Sequence, residues 1–229
     1  MLFVAQMIDA QLNIEAHNDL GRNNVSEGMF IKSAVTTSYR KGNTCLVYAN
    51  QFDLKSHNPH FFSGAKVRLT RAFQIKTKAL EANAFYMYNL LSRLIHEANW
   101  GVTINTESQH FSYLLGTNFR TSHLTKVATE NYELDVGTKL REKWNLMYRI
   151  AYSLKPNNNK WNTGVALTNV DHFLINQDTN PMLALHARYR LNFPLTLYTE
   201  AWYKTAGVFN ISADSFGFFF RTGLQWELF

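Results

Sequence analysis

From Trp144 to Lys155 the chain reads WNLMYRIAYSLK, and apolar and polar positions alternate with a period of two. Trp144, Leu146, Tyr148, Ile150, Tyr152 and Leu154 share one side; Asn145, Met147, Arg149, Ala151, Ser153 and Lys155 share the other. Successive side chains of a strand point to opposite faces, so the stretch predicts a long β-strand with one apolar and one polar face. The pattern recurs along the chain. In 132–140, Tyr132, Leu134, Val136 and Leu140 oppose Glu133, Asp135 and Lys139. In 183–193, Leu183, Leu185, Tyr189, Leu191 and Phe193 oppose His186, Arg188 and Arg190. In 218–228, Phe218, Phe220, Leu224, Trp226 and Leu228 oppose Arg221, Gly223 and Glu227. Residues 98–106 and 111–119 alternate less cleanly, and 12–18, 30–40, 44–55, 65–75 and 79–89 are further candidate strands. The run 65–75 fits worst, because Arg71 falls among Val67, Leu69 and Phe73. Either its long side chain snorkels at an interface or the register shifts there.

The links between these runs alternate in length. Short ones are RKGN (40–43), KTK (76–78), ESQ (107–109), REK (141–143) and NFP (192–194); longer ones are 19–29, 56–64, 90–96, 122–130, 156–160 and 210–216. A brief extra strand at HFLIN (172–176) keeps the alternation through 161–181. The reading is an all-β, antiparallel up-and-down barrel of about fourteen strands, with twelve the nearest alternative and both ends on one side. The hairpin rhythm is uniform, which predicts a single domain over 11–229. Residues 1–10 are read as the remnant of a signal peptide, cut after Ala10. They hold the apolar run Leu2–Ile8 but lack the positive leading region, and Asp9 is unusual there.

Alternation alone does not say which face meets which solvent; other features do. Strands of ten or more residues exceed the usual length of about 5–6 and suit a tilted bilayer crossing. Short links alternating with long ones match the turns and loops of membrane barrels. Trp100, Tyr132, Trp144, Tyr152, Trp161, Tyr203 and Trp226 sit towards the ends of the apolar faces, where amphipathic rings favour the water–lipid boundary. The opposite face carries Glu133, Asp135, Lys139, Arg149, Arg188, Arg190, Glu200, Lys204, Arg221 and Glu227. Burying so many charges in a dry core would cost several kcal/mol for each one left unpaired, and a wet lumen removes that cost. Leu146, Tyr148, Ile150, Tyr152, Leu185, Tyr189, Leu224 and Trp226 are therefore expected to face lipid, and the ten charges to face the lumen.

Composition adjusts this picture little. Hydrophobic residues are 46% and aromatics 14% of the 229, yet mean hydropathy is −0.25, as interleaving requires. No apolar run is long enough for a transmembrane helix, but barrel strands need only about 9–11 residues. The formal charge of +6 is scattered over polar faces and turns, without the basic run or helix that would indicate nucleic acid. The single Cys45 excludes an internal disulfide.

The closing stretch FFFRTGLQWELF, ending on Phe229, resembles the last strand of Gram-negative outer-membrane β-barrels. Its register departs by one residue, since Leu228 rather than Phe229 continues the alternating face. The resemblance implies an outer-membrane location, recognition of that strand by the barrel-assembly machinery, and lipid or other envelope proteins as partners. The Ala10–Gln11 junction and GVALTNV (164–170) are similar to Bacteroidota outer-membrane proteins, including type IX secretion membrane proteins and fourteen-stranded transport barrels.

No catalytic or cofactor motif is present: neither G-x-S-x-G, P-loop, H-E-x-x-H nor C-x-x-C occurs. Ser108, His110 and Ser112 cluster at a tight turn and read as turn and polar-face chemistry. HNPH (57–60) reads as an exposed loop rather than a metal site, and His186 as a hydrogen-bonding lumen residue. Cys45, on the polar side near a strand start, needs no special role. No enzyme activity, cofactor or metal is expected. The mixed lumen charges suit either cross-bracing by Arg–carboxylate forks or a weakly basic aqueous path. The expected functions are accordingly a pore for small solutes or, alternatively, a non-conducting structural or assembly component of the envelope; a soluble binding barrel is the remote third.

Overall fold

The computed structural model describes residues 10–23, 28–55, 61–75, 78–90, 94–125, 139–154, 160–171, 181–204 and 218–228. They form β1 (Ala10–Asn23), β2 (Gly28–Lys41), β3 (Thr44–Lys55), β4 (Phe62–Ile75), β5 (Lys78–Leu90) and β6 (Ile95–Glu107). The series continues with β7 (Phe111–Leu124), β8 (Lys139–Ser153), β9 (Trp161–Thr168), β10 (Met182–Arg190), β11 (Leu195–Lys204) and β12 (Phe218–Glu227). Every strand pairs antiparallel with its sequence neighbours, and β1 also pairs with β12, closing a twelve-strand barrel. Closure matters physically: it leaves no sheet edge with unpaired backbone groups.

Twelve, not fourteen, is thus the strand number, and REK (141–143) is the reason. Those residues lie inside β8, paired with Arg120, Thr121 and Ser122 of β7. The apolar parity runs unbroken from Leu140 through Glu142 to Trp144, so the charges mark the end of one long strand rather than a turn. The expected extra strand at 172–176 and most of the expected strand at 132–140 lie outside the described residues. The link 154–160 consequently joins the end that carries the short turns. Segment 19–29 is mostly strand as well, since β1 runs to Asn23 and β2 starts at Gly28. Ala10 is already paired with Lys41, at the start of β1.

Gly42 and Asn43 make the β2–β3 turn, and Gly42 has a φ of 56°, the left-handed backbone a tight hairpin needs. Two inward glycines serve packing instead. The Phe85 ring lies over Gly101 on the neighbouring strand, and the Tyr198 ring lies over Gly223. A Cβ on Gly101 would meet the Phe85 ring at 2.3 Å. Gly101→Ala should destabilise the refolded barrel by about 1–3 kcal/mol, the usual cost of overpacking, as read by urea unfolding in detergent.

The outer surface is the apolar one. Leu69, Val102, Leu115, Leu146, Ile150, Leu185, Leu224 and Trp226 are all exposed, Leu115 to 63%. Tyr148, Tyr152 and Tyr189 lie on the same outward parity and are half-buried by neighbours. Aromatics bound this face at both ends. Trp100 packs on Tyr86 and Trp144 on Phe119 towards the long-loop end, while Trp161 packs on Tyr189 near the short turns. Arg71 keeps the regular β3–β4 register opposite Thr44 and faces outward; the irregularity between those strands is at Gln51/Phe52.

Candidate functional site: the lumen

Inward positions carry what the outer face lacks. Arg221 of β12 is fully buried, and its guanidinium is held from three sides. Nε and Nη2 donate to Asp19 of β1 at 2.7 and 2.9 Å; Nη1 and Nη2 donate to Asp171 at 2.6 and 2.7 Å. Nη1 also reaches Glu200 of β11 at 3.3 Å, and the Trp202 indole donates to the same carboxylate at 2.9 Å. The guanidinium lies near the Trp202 and Phe219 rings, which stack on each other with centroids 5.6 Å apart. Register explains the meeting: Asp19, Arg221 and Glu200 are consecutive partners across β1, β12 and β11, all on inward parity.

Asp171 comes from elsewhere. β9 ends at Thr168; Asn169 still donates its backbone N–H to the Tyr148 carbonyl at 3.2 Å, and Val170 and Asp171 follow with side chains turned into the lumen. The Asn169 side-chain amide extends the pairing with β8, donating to the Leu146 carbonyl at 2.6 Å and accepting from the Tyr148 N–H at 2.8 Å. Val170 then packs against a buried cluster of Ala34, Ala49, Phe85, Met87 and Met147. β2 and β8 stand six places apart in the twelve-strand ring, so the cluster draws on opposite walls. Apolar side chains therefore narrow the lumen at the level of the Arg221 group.

A second network lies towards the long-loop end. Arg120 meets Glu97 at 3.3 Å and Asn99 at 3.1 Å, and Asn118 donates to Asn99 at 2.8 Å. From β11, the Tyr198 hydroxyl donates to Glu15 of β1 and lies 3.2 Å from His17 Nδ1. Lys66 and Arg68 of β4 and Arg149 of β8 point inward from two other walls. Among the described residues the Nε atoms of Arg68 and Arg149 have no hydrogen-bond partner.

The expected lumen charges thus occupy different settings. Arg221 and Glu200 are in the central cluster, and Arg188 lies 4.0 Å from Glu200 with its side chain half-exposed. Arg190 pairs with Glu227 at 3.0 Å at the short-turn rim. Lys139 is exposed at the far end of β8, paired with Glu142 rather than placed near the others. Glu133 and Asp135 lie outside the described residues, as does the Lys204 side chain. His186 is inward, beside Gly164. Cys45 is buried on the inward face near the start of β3. HNPH (57–60) lies outside the described residues. At the 108–110 turn, Ser108 Oγ bonds the Phe111 backbone, and His110 Nδ1 lies 2.9 Å from the Ser153 carbonyl. Asp19 and Asp171 were not anticipated. Asp19 sat in a stretch read as a link, although it keeps the parity of Glu15 and His17, which was the available signal. Nothing local marks Asp171.

No protein-family model and no curated protein sequence matches the chain. Solved structures do resemble it. The KdgM porin in complex with disordered oligogalacturonate superposes with a TM-score of 0.59 at 11% identity, over 95% of this chain and 99% of that one. The COG4313 outer-membrane channel of Pseudomonas putida F1 gives 0.57 at 7% identity, over 100% of both chains. At such identities the likeness is one of fold: a closed, antiparallel β-barrel.

Proposed function

We propose that this chain is a channel of the Gram-negative outer membrane that passes small polar solutes through a lumen narrowed at the Arg221–Asp171 cluster. The observation that carries the reading is the inverted polarity of a closed barrel, with an apolar outer band between aromatic rims and charges inside. Water-soluble barrels require the reverse, and lipid supplies the solvent for this arrangement. The fold likeness to a porin and an outer-membrane channel agrees with it. The partners are then outer-membrane lipid and, through β12, the barrel-assembly machinery. No catalytic step is assigned to the barrel.

Selectivity follows from how the charges divide. Asp19, Asp171 and Glu200 are engaged by Arg221. Arg68 and Arg149 keep guanidinium Nε atoms without a hydrogen-bond partner among the described residues. A path between these walls favours anions, as basic linings do in pores. The competing reading, a non-conducting structural barrel, draws on the same burial of Arg221. Liposome swelling separates them. Vesicles carrying the refolded protein should admit small sugars and small organic anions, anions faster, and Arg68→Gln with Arg149→Gln should remove the difference. Protein that inserts without admitting either solute would favour the structural barrel.

A further inference from the structure

On the outer face a groove of about 690 Å³ crosses β5, β6 and β7, within the range of roughly 300–1,000 Å³ typical of small-ligand sites. Ala82 and Ala84 form its floor where neighbouring strands carry Ile104, Leu115 and Leu146, and Arg71 stands at its β4 edge. Thr44, the register partner of Arg71, is the first residue after the β2–β3 turn, so this edge lies near the short-turn rim. Arg71 donates to Thr44 Oγ1 at 2.6 Å and has no carboxylate partner among the described residues. Lys41 and Lys78 are exposed on the outward parity of β2 and β5, on the same rim.

We propose that this groove is a binding site for one glycerophospholipid of the leaflet on the short-turn side, its acyl chain lying over Ala82 and Ala84 and its phosphate on Arg71. The inference rests on the membrane reading above. In a bilayer the groove faces hydrocarbon, which selects an acyl chain as its filling. An arginine turned to lipid costs least near the interface, and a phosphodiester satisfies its planar fork through charge-assisted hydrogen bonds. Lys41 and Lys78 add the positive field that attracts a phosphate headgroup to this rim. Small residues on the floor explain why the groove exists, and the cations explain why a phospholipid, rather than a neutral lipid, fills it.

Native mass spectrometry of the full chain, refolded in detergent and supplied with dioleoylphosphatidylglycerol or with dioleoylglycerol, tests this. The phospholipid should remain as a one-to-one adduct after detergent is stripped, and the uncharged diacylglycerol should not. Arg71→Gln should reduce the adduct by about tenfold, the scale of one charge-assisted contact. Ala84→Phe, which fills the floor, should abolish it while the barrel keeps its heat-modifiable gel mobility. Equal adducts in wild type and Arg71→Gln, no retained phospholipid, or a dimer that Ala84→Phe dissociates would overturn the proposal, the last by naming a second copy as the occupant. A chain that fails to insert into vesicles at all would overturn the membrane reading instead.

Discussion

Arg221→Met should lower the unfolding free energy of the refolded barrel by about 3–5 kcal/mol, the cost of removing one partner from a buried ionic group. The side chain is fully buried, and Asp19, Asp171 and Glu200 all converge on it, so its loss strands buried carboxylates against the lumen wall. The deficit is in the carboxylates left behind, which sets up a control. Arg221→Met combined with Asp19→Asn and Asp171→Asn should recover much of the loss, because neutralised sites need no counter-charge. Urea titrations followed by tryptophan emission would read both, with Trp202 beside the site as reporter. A single variant as stable as wild type would mean that water reaches the stranded carboxylates and the cluster is not buried from solvent.

Ile150→Arg is the second large effect, expected at about 2–4 kcal/mol, the cost of a cation on the lipid face near the midplane. Ile150 lies near the middle of the outward series from Trp144 to Leu154, whereas Leu146 is close to the Trp144 rim. Leu146→Arg should accordingly cost less than Ile150→Arg, as depth dependence requires. Arg149→Ser, one residue away on the inward face, should cost little, since Arg149 is only partly buried and forms no ion pair among the described residues. Adjacent residues with opposite tolerance are the signature of a strand between two solvents. Denaturant titration in detergent, in which Ile150→Arg and Arg149→Ser behaved alike, would sink the assignment of faces.

The two-faced strand was readable because its period is a local property. Trp144 to Lys155 announce their faces without reference to any other strand, and aromatic placement then orients the barrel. Strand number was less readable. REK looks like a turn by composition, yet the parity of Leu140, Glu142 and Trp144 continues through it, and β7 extends far enough to pair with it. Charges ended the apolar band there without ending the strand. The lumen cluster was half readable. Arg221 and Glu200 lie on alternating strands, where inward parity can be counted. Asp171 reaches Arg221 just past the end of β9, where Asn169 holds the β8 backbone with both its own N–H and its side-chain amide. That is a tertiary event with no periodic trace. The likeness to Bacteroidota proteins, type IX secretion membrane proteins among them, rested on a dipeptide and one strand pattern, and the solved structures that resemble the chain do not support it.

On the proposed channel function, the inward segment 169–171 links stability to transport. The contacts that bury Arg221 also hold Asp171, and through it Val170, across the lumen. Stability gained there narrows the path.

Single-channel recording of the refolded wild-type chain in a planar bilayer tests the central claim most directly. The account predicts discrete, small conductance steps with a reversal potential shifted towards anions in a salt gradient. Stable insertion without any conductance would contradict it and leave a braced barrel whose work depends on a protein partner.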